Sequence, residues 1–238
     1  MCSQAESIQG FAEIREIFES IQGEGILVGV RQLFVRFARC NLNCIYCDTP
    51  TDSTDCTNHI TGEKLPNPVS REYVSEFFDR NVHSICLTGG EPLLYADFIA
   101  SLPKTRPFYL ETNMSLPEMA KKLTHVDFVA GDFKVREAIV DGYEELVENT
   151  VRCFRILRNR EDRLTFCKFV LPERFDAEEV INNAISVENY VECFILQPVF
   201  GTSKRGIETI LELQKVLMEK VCVDVRVIPQ VHKYLGVM

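Results

Sequence analysis

Cys40, Cys44 and Cys47 stand in a C-x₃-C-x₂-C spacing inside the ten residues from Cys40 to Thr49, directly after an apolar run from Gln32 to Phe37. Three thiolates on one tight loop can converge on a single metal centre. A structural zinc site wants four protein ligands, usually as two separated Cys pairs. The chain holds no second C-x₂-C, and none of its four histidines falls at a paired spacing. A 4Fe–4S cluster is normally held by four Cys thiolates; three leave one iron without a protein ligand and open to a small molecule. The plain alternative is three buried thiols and no metal.

Two further features ask for a ligand. Ser20-Ile-Gln-Gly-Glu-Gly25 is bracketed by glycines, which let a backbone approach a ligand closely; an ordinary turn is the competing reading. Arg36 sits inside the apolar run Val30 to Ala38. A charge there needs a protein partner or a ligand carboxylate.

The elements that position these residues follow from hydrophobic periodicity. Strands are expected over 13–19, 30–38, 84–88, 107–111, 126–130, 164–171, 191–196 and 223–228. Helices are expected over 69–80, 94–102, 116–123, 138–157, 177–189 and 207–220. Strands alternating with helices imply a parallel sheet with right-handed crossovers. The units are too few for eight, so the fold class expected is α/β: a partial, open (β/α)6-like barrel of the TIM type. The Cys loop, Gly89-Gly-Glu-Pro92, Glu111-Thr-Asn113, Asp132-Phe-Lys134, Gln197-Pro198 and Gln230-Val-His232 all fall just past strand C-termini. In parallel α/β folds that edge carries the active site. Residues 1–238 read as one domain, with a polar loop or insertion at about 48–68 over the cluster.

With 238 residues the chain can bury one substantial core, and 46% apolar residues with a net charge of −9 suit a globular domain. No long basic run is present, which argues against a nucleic-acid footprint. No apolar run is long enough to span a membrane, and the N-terminus lacks the features of a signal peptide. Of the ten cysteines, Cys86, Cys153, Cys167, Cys193 and Cys222 sit singly in apolar runs and read as core residues, whereas Cys2 and Cys56 lie in polar stretches as free thiols. This usage points to a reducing cytoplasm.

The Cys loop, with an aromatic before its third Cys, resembles the signature of the radical S-adenosylmethionine (SAM) superfamily. Nearly end to end, the chain resembles the 7-carboxy-7-deazaguanine synthases within it. The specific segments are Gln22-Gly-Glu-Gly25, Cys47-Asp-Thr49 and His232-Lys-Tyr-Leu235; Thr88-Gly-Gly-Glu-Pro92 is shared more widely. The resemblance implies a reaction. A reduced 4Fe–4S cluster cleaves SAM, the resulting 5′-deoxyadenosyl radical takes hydrogen from 6-carboxy-5,6,7,8-tetrahydropterin, and the ring contracts with loss of ammonia. The product, 7-carboxy-7-deazaguanine, leads to queuosine or archaeosine.

The resemblance also implies roles. Cys40, Cys44 and Cys47 hold the cluster; Tyr46, Cys47, Asp48, Gly90, Lys134 and Gln197 contact SAM; Thr49 ligates Mg²⁺. Ile21, Gln22, Gly23, Glu24, Arg36, Thr88 and His232 contact the pterin, Arg36 through its carboxylate. Expected partners are the small-molecule substrate, an electron donor of the flavodoxin or ferredoxin type, and a second copy in a homodimer, with neither nucleic acid nor membrane. Departures from the family pattern are Arg39 where Gly usually precedes the first cluster Cys, Asn113-Met114 where Asn-Gly is usual, Asp132-Phe133 where Ser-Pro is usual, and residues 236–238 past Leu235. Competing readings are another small radical SAM enzyme of the glycyl-radical activase type, which gives the Gln-Gly-Glu-Gly and His-Lys-Tyr-Leu segments no role, and a non-catalytic Fe–S or zinc module, which does not bind SAM.

Overall fold

The computed structural model describes residues 10–47, 55–139 and 141–238. The strands are β1 (Phe11–Ala12), β2 (Ile14–Ile21), β3 (Arg31–Phe37), β4 (Asp55–Asn58), β5 (Glu63–Pro66), β6 (Val69–Ser70), β7 (Ser84–Gly89), β8 (Phe108–Thr112), β9 (Phe128–Asp132), β10 (Leu164–Leu171), β11 (Cys193–Pro198) and β12 (Asp224–Val227). The α-helices are α1 (Arg71–Ser75), α2 (Ala96–Ser101), α3 (Pro117–Ala120), α4 (Tyr143–Ile156), α5 (Ala177–Val187), α6 (Lys204–Lys220) and α7 (Val231–Leu235).

One sheet runs in the order β12-β11-β10-β9-β8-β7-β3-β2-β4-β5. From β3 through β7 to β12 all neighbours pair in parallel, which is the expected open barrel. β2 joins antiparallel to β3, and the β4–β5 hairpin extends that edge through a parallel β2–β4 pairing. From β3 to β11 the parallel strands are mostly buried because helices cover one face and the barrel interior the other, while the edge strand β12 buries only Val225.

The helices are built as their sequences suggest. α4 buries Tyr143, Leu146, Thr150, Cys153 and Phe154, the stripe of a core-facing helix. The Asp176 side chain caps α5 by accepting from Glu178 N and Glu179 N, and Ser203 caps α6 through Gly206 N.

Four expectations change. The stretch 48–68 is not simply a loop: its described part contains the β4–β5 hairpin, because Cys56 and Asn58 alternate inward and Gly62 (φ +79°) supplies the turn. Cys56 is accordingly a core residue, whereas Cys222 is exposed one residue past buried Val221. The helix expected over 69–80 shortens to α1, since Val69–Ser70 pairs with Phe11–Ala12 and Ser70 then caps the helix through Tyr73 N at 3.3 Å. A terminal helix, α7, stands where only a polar segment was expected.

Candidate active site

The interior of the sheet has two layers, and strand periodicity makes them. Phe34, Cys86, Tyr109, Ala130, Phe166 and Ile195, one from each of six parallel strands, pack with Phe18 into an apolar cluster. Two residues further along each of those strands stand Arg36, Thr88, Glu111, Asp132, Lys168 and Gln197, and all six line one cavity of about 460 Å³. Successive strand side chains alternate faces, so a step of two keeps the face and climbs toward the strand end. The residues that alternate with them along the strands, Val35, Leu87, Leu110, Val129, Cys167, Phe169 and Leu196, point the other way, into the core under the helices. β2 runs antiparallel, so its contribution lies two residues before Phe18, at Glu16.

Most of the charge in the polar layer is paired within the protein. Arg36 Nη1 donates to Glu16 Oε2 at 2.9 Å, and its guanidinium lies 4.9 Å from the Phe18 ring centre. Thr88 Oγ1 donates to Glu111 Oε2 at 3.0 Å. Lys168 Nζ reaches Glu111 Oε1 at 2.7 Å, Asp132 Oδ1 at 3.2 Å, and Glu24. Lys134 Nζ pairs with Asp132 Oδ2 at 2.8 Å and sits 5.6 Å from the Tyr46 ring centre. Burial alone would raise the Glu24 carboxyl, but the Lys168 ammonium, with hydrogen bonds from Lys168, Gln230 and Gln197, brings it down to about 2. Glu111 moves the other way: burial and the nearby charges of Glu24 and Asp132 outweigh Lys168 and raise it.

Loops complete the walls. Gln22 Oε1 accepts from Glu24 N at 3.0 Å, and Gln22 Nε2 donates to Gln32 Oε1 at 3.0 Å, which fixes the Gln-Gly-Glu-Gly turn on the sheet. A Cβ on Gly23 would fall on the His232 ring, and Val231 N donates to Gly23 O at 2.9 Å, so α7 is seated against this turn. On the other side Gly90 N donates to Phe37 O at 2.8 Å and Glu91 N to Arg39 O at 2.7 Å. A Cβ on Gly90 would overlap the Arg39 carbonyl, so only glycine lets this turn meet the Cys loop. Buried Glu91 accepts from Leu93 N (2.9 Å), Thr112 Oγ1 (2.6 Å) and Asn113 N (2.7 Å); burial still holds its carboxyl up at about 7. Asn113 Nδ2 in turn lies 3.8 Å from Cys40 Sγ. Met114 next to it has φ 55°, the left-handed backbone a glycine takes without cost.

The expected site residues converge. Ile21, Gln22, Gly23, Glu24, Arg36, Thr88 and His232 line the cavity together with Cys40, Cys44, Tyr46, Cys47, Gly90, Lys134 and Gln197. Asp48 and Thr49 lie outside the described residues. Arg36 has a protein partner, Glu16, and so its place in a strand does not by itself require a substrate carboxylate. Lys168 was missed, as were the contacts of Glu111 and Asp132. The sign available for Lys168 was the one used for Arg36: a charge inside an apolar strand, Thr165-Phe-Cys-Lys-Phe-Val-Leu171.

The residues fit the groups that the Cys spacing calls for. Among the described residues no three His, Cys, Asp or Glu crowd closely enough to hold one metal ion, yet the three thiols border one cavity. Thiolates at separate corners are what a polynuclear cluster needs. Burial raises the Cys40 thiol to about 11 and Cys44 above its usual range, so iron must displace their protons on binding. Tyr46 Oη and Gln197 Oε1 are buried without a hydrogen-bond partner, and both belong to cavity-lining residues. Such orphaned atoms are places for a polar ligand.

Comparison with known proteins accords with this site. The radical SAM superfamily pattern matches residues 34–160. A curated relative from Archaeoglobus fulgidus, named 7-carboxy-7-deazaguanine synthase, is 60% identical over 95% of this chain and 99% of its own length. A relative of the same name from Methanothermobacter thermautotrophicus is 36% identical over 94% of this chain and 97% of its own. Among solved structures, QueE from Escherichia coli superposes with a TM-score of 0.53 at 17% identity, covering 93% of this chain and 95% of that one. Streptococcus suis SuiB bound to S-adenosylmethionine matches with a TM-score of 0.53 at 12% identity, over 80% of this chain and 48% of that one; at such identities both likenesses speak for the fold. The cavity-lining residues and these relatives lead to one assignment: the chain belongs to the 7-carboxy-7-deazaguanine synthase family of the radical SAM superfamily.

Proposed function

We propose a division of labour within the cavity for the family reaction, which converts 6-carboxy-5,6,7,8-tetrahydropterin to 7-carboxy-7-deazaguanine with loss of ammonia. The observation that carries the proposal is the polar layer, which is rich in both signs of charge and faces the three-Cys loop across one cavity. The 4Fe–4S cluster and SAM, when bound, supply the one-electron chemistry that generates the substrate radical. Cys40, Cys44 and Cys47 hold the cluster. Gly90 leaves its backbone open to the SAM amino group, and Tyr46, Cys47, Asp48, Lys134 and Gln197 form the rest of that pocket.

The pterin lies on the opposite side. Arg36 spends one N–H on Glu16 and keeps donors for the substrate carboxylate, since a guanidinium carries five. A reduced pterin presents a row of N–H donors, and ionised Glu24 is an acceptor held for them. Ile21, Gln22, Gly23, Thr88 and His232 complete this wall. The apolar floor beneath excludes water, which strengthens each of these contacts.

Mg²⁺ is the third cofactor, and we assign Thr49 as its protein ligand. A lone hydroxyl suffices where the substrate provides further oxygens, because Mg²⁺ keeps waters and bridges to anionic ligands. Thr49→Ala then raises the Mg²⁺ needed for activity while iron content stays normal; an unchanged Mg²⁺ response removes the assignment.

The chain works as one domain in this reading, in a homodimer and with a flavodoxin- or ferredoxin-type reductant. Its nine described cysteines are all free thiols, which suits the reducing cytoplasm. No described helix is long and apolar enough to cross a membrane. The test is anaerobic reconstitution with iron and sulfide, then incubation with carboxytetrahydropterin, SAM, Mg²⁺ and reductant. Mass analysis should find 7-carboxy-7-deazaguanine; SAM cleavage without it would leave a radical SAM enzyme of another kind.

A further inference from the structure

Lys168 is 3% exposed and touches three carboxylates from three separate segments: Glu24 of the β2–β3 turn, Glu111 of β8 and Asp132 of β9. Register makes part of this unavoidable, since Lys168 and Asp132 are direct partners across the β10–β9 pair. Asp132 also holds Lys134, which leans on Tyr46 beside the Cys loop. Glu24 is held from its other side by Gln230 Nε2 at 2.8 Å. An unbroken chain of charges therefore runs from the Gln-Gly-Glu-Gly turn through Lys168 to the cluster loop. Fully ionised, it contains three carboxylates and two ammoniums, Lys168 and Lys134.

Such a group is costly as mere scaffolding. Each buried ion forfeits several kcal/mol of hydration, and apolar residues of similar volume often serve stability as well or better. A buried cluster of this kind inside a cavity is better explained by ligands that use it.

We propose that Lys168 is a positioning residue that couples the two halves of the cavity. It orients Glu24 on the pterin side and, through Asp132, Lys134 on the SAM side, so that filling either half favours the other. The proposal rests on the assignment of the two halves made above. Coupling of this kind is reciprocal and typically amounts to about 5–150-fold in affinity. It orders the reaction: SAM is held best when a substrate is present to receive the radical.

The test uses the cluster-loaded enzyme under anaerobic conditions without reductant, so that nothing turns over. SAM affinity is measured by calorimetry with and without carboxytetrahydropterin. The parent should bind SAM at least about fivefold more tightly with the pterin present. Lys168→Met should bring that ratio near one, and Lys168→Arg should restore most of it. Should Lys168→Met not fold, Asp132→Asn cuts only the SAM-side branch and should abolish the ratio equally. A parent that binds both ligands independently, or a folded Lys168→Met or Asp132→Asn with the parental ratio, overturns the role of Lys168 alone. A parent that binds SAM but no pterin overturns the substrate assignment as well.

Discussion

The two walls of the cavity are built by opposite means. The polar layer, Arg36, Thr88, Glu111, Asp132, Lys168 and Gln197, is carried on strands, and most of its charge is already matched within the protein. The cluster loop is irregular from Ala38 to Cys47, and Cys47 is exposed while Cys40 and Cys44 are half-buried. It is tied down by side chains and turns instead of a strand ladder: Ile45 N to Ala138 O at 3.2 Å, Asn41 Nδ2 to Ser115 Oγ at 2.8 Å, Asn113 Nδ2 to Asn41 Oδ1 at 3.1 Å and to Cys40, the Arg39–Glu13 ion pair, and the Gly90 turn. One wall is set when the sheet forms. The other is set by scattered side-chain and turn contacts from several elements, so it depends less on the sheet ladder.

The contrast can be broken most sharply at the cysteines. Replacing Cys40, Cys44 or Cys47 singly by Ala should abolish iron binding and turnover, yet leave the melting temperature of the metal-free protein close to the parent. Iron analysis and thermal unfolding read the two effects separately. A large loss of stability in the metal-free protein would mean the loop is as structural as the strands.

Acid is the probe for the polar layer. The Glu24 carboxyl falls from 4.5 to about 2 in the folded state. A group held low stabilises the fold fully above its ordinary value, and the contribution vanishes as pH falls from about 4.5 to about 2. A shift of this size corresponds to about 3 kcal/mol. Glu24→Gln should therefore lose stability at neutral pH and show a flatter decline across that acid window, as seen in denaturant titrations at several pH values. Parallel curves for parent and variant would rule out the Lys168–Glu24 pair as the source.

Arg36→Lys tests one strand-borne residue as a ligand contact. The charge stays but the planar fork is lost. Substrate affinity should weaken about tenfold or more, from one charge-assisted bond of roughly 1.5–3 kcal/mol, with SAM binding unchanged by calorimetry. Equal loss of both ligands would place Arg36 in the SAM half.

The smallest effect is expected at Met114, just past β8, whose side chain packs into the core. Its left-handed backbone costs roughly 1–2 kcal/mol, but its side chain is fully buried, and truncation of such a residue costs about 2–5 kcal/mol. Burial outweighs strain, so Met114→Gly should destabilise by about 1–3 kcal/mol despite restoring the usual family residue. A stabilised variant in urea unfolding would show that strain dominates.

What the sequence determined was local. Apolar runs separated by helical periodicity gave the order of strands and helices, and the Cys spacing with its flanking segments gave the chemistry. Both depend on neighbours a few residues apart. The hairpin within 48–68 escaped because its residues are mostly polar and only pairing with β2 makes them a strand. Lys168 escaped for a related reason. Within its own strand it is one charge among apolar residues; its meaning lies in Glu24, Glu111 and Asp132, at sequence distances of 144, 57 and 36. The parallel register sets Glu111 and Asp132 at the height of this ammonium, and the β2–β3 turn folds Glu24 onto it.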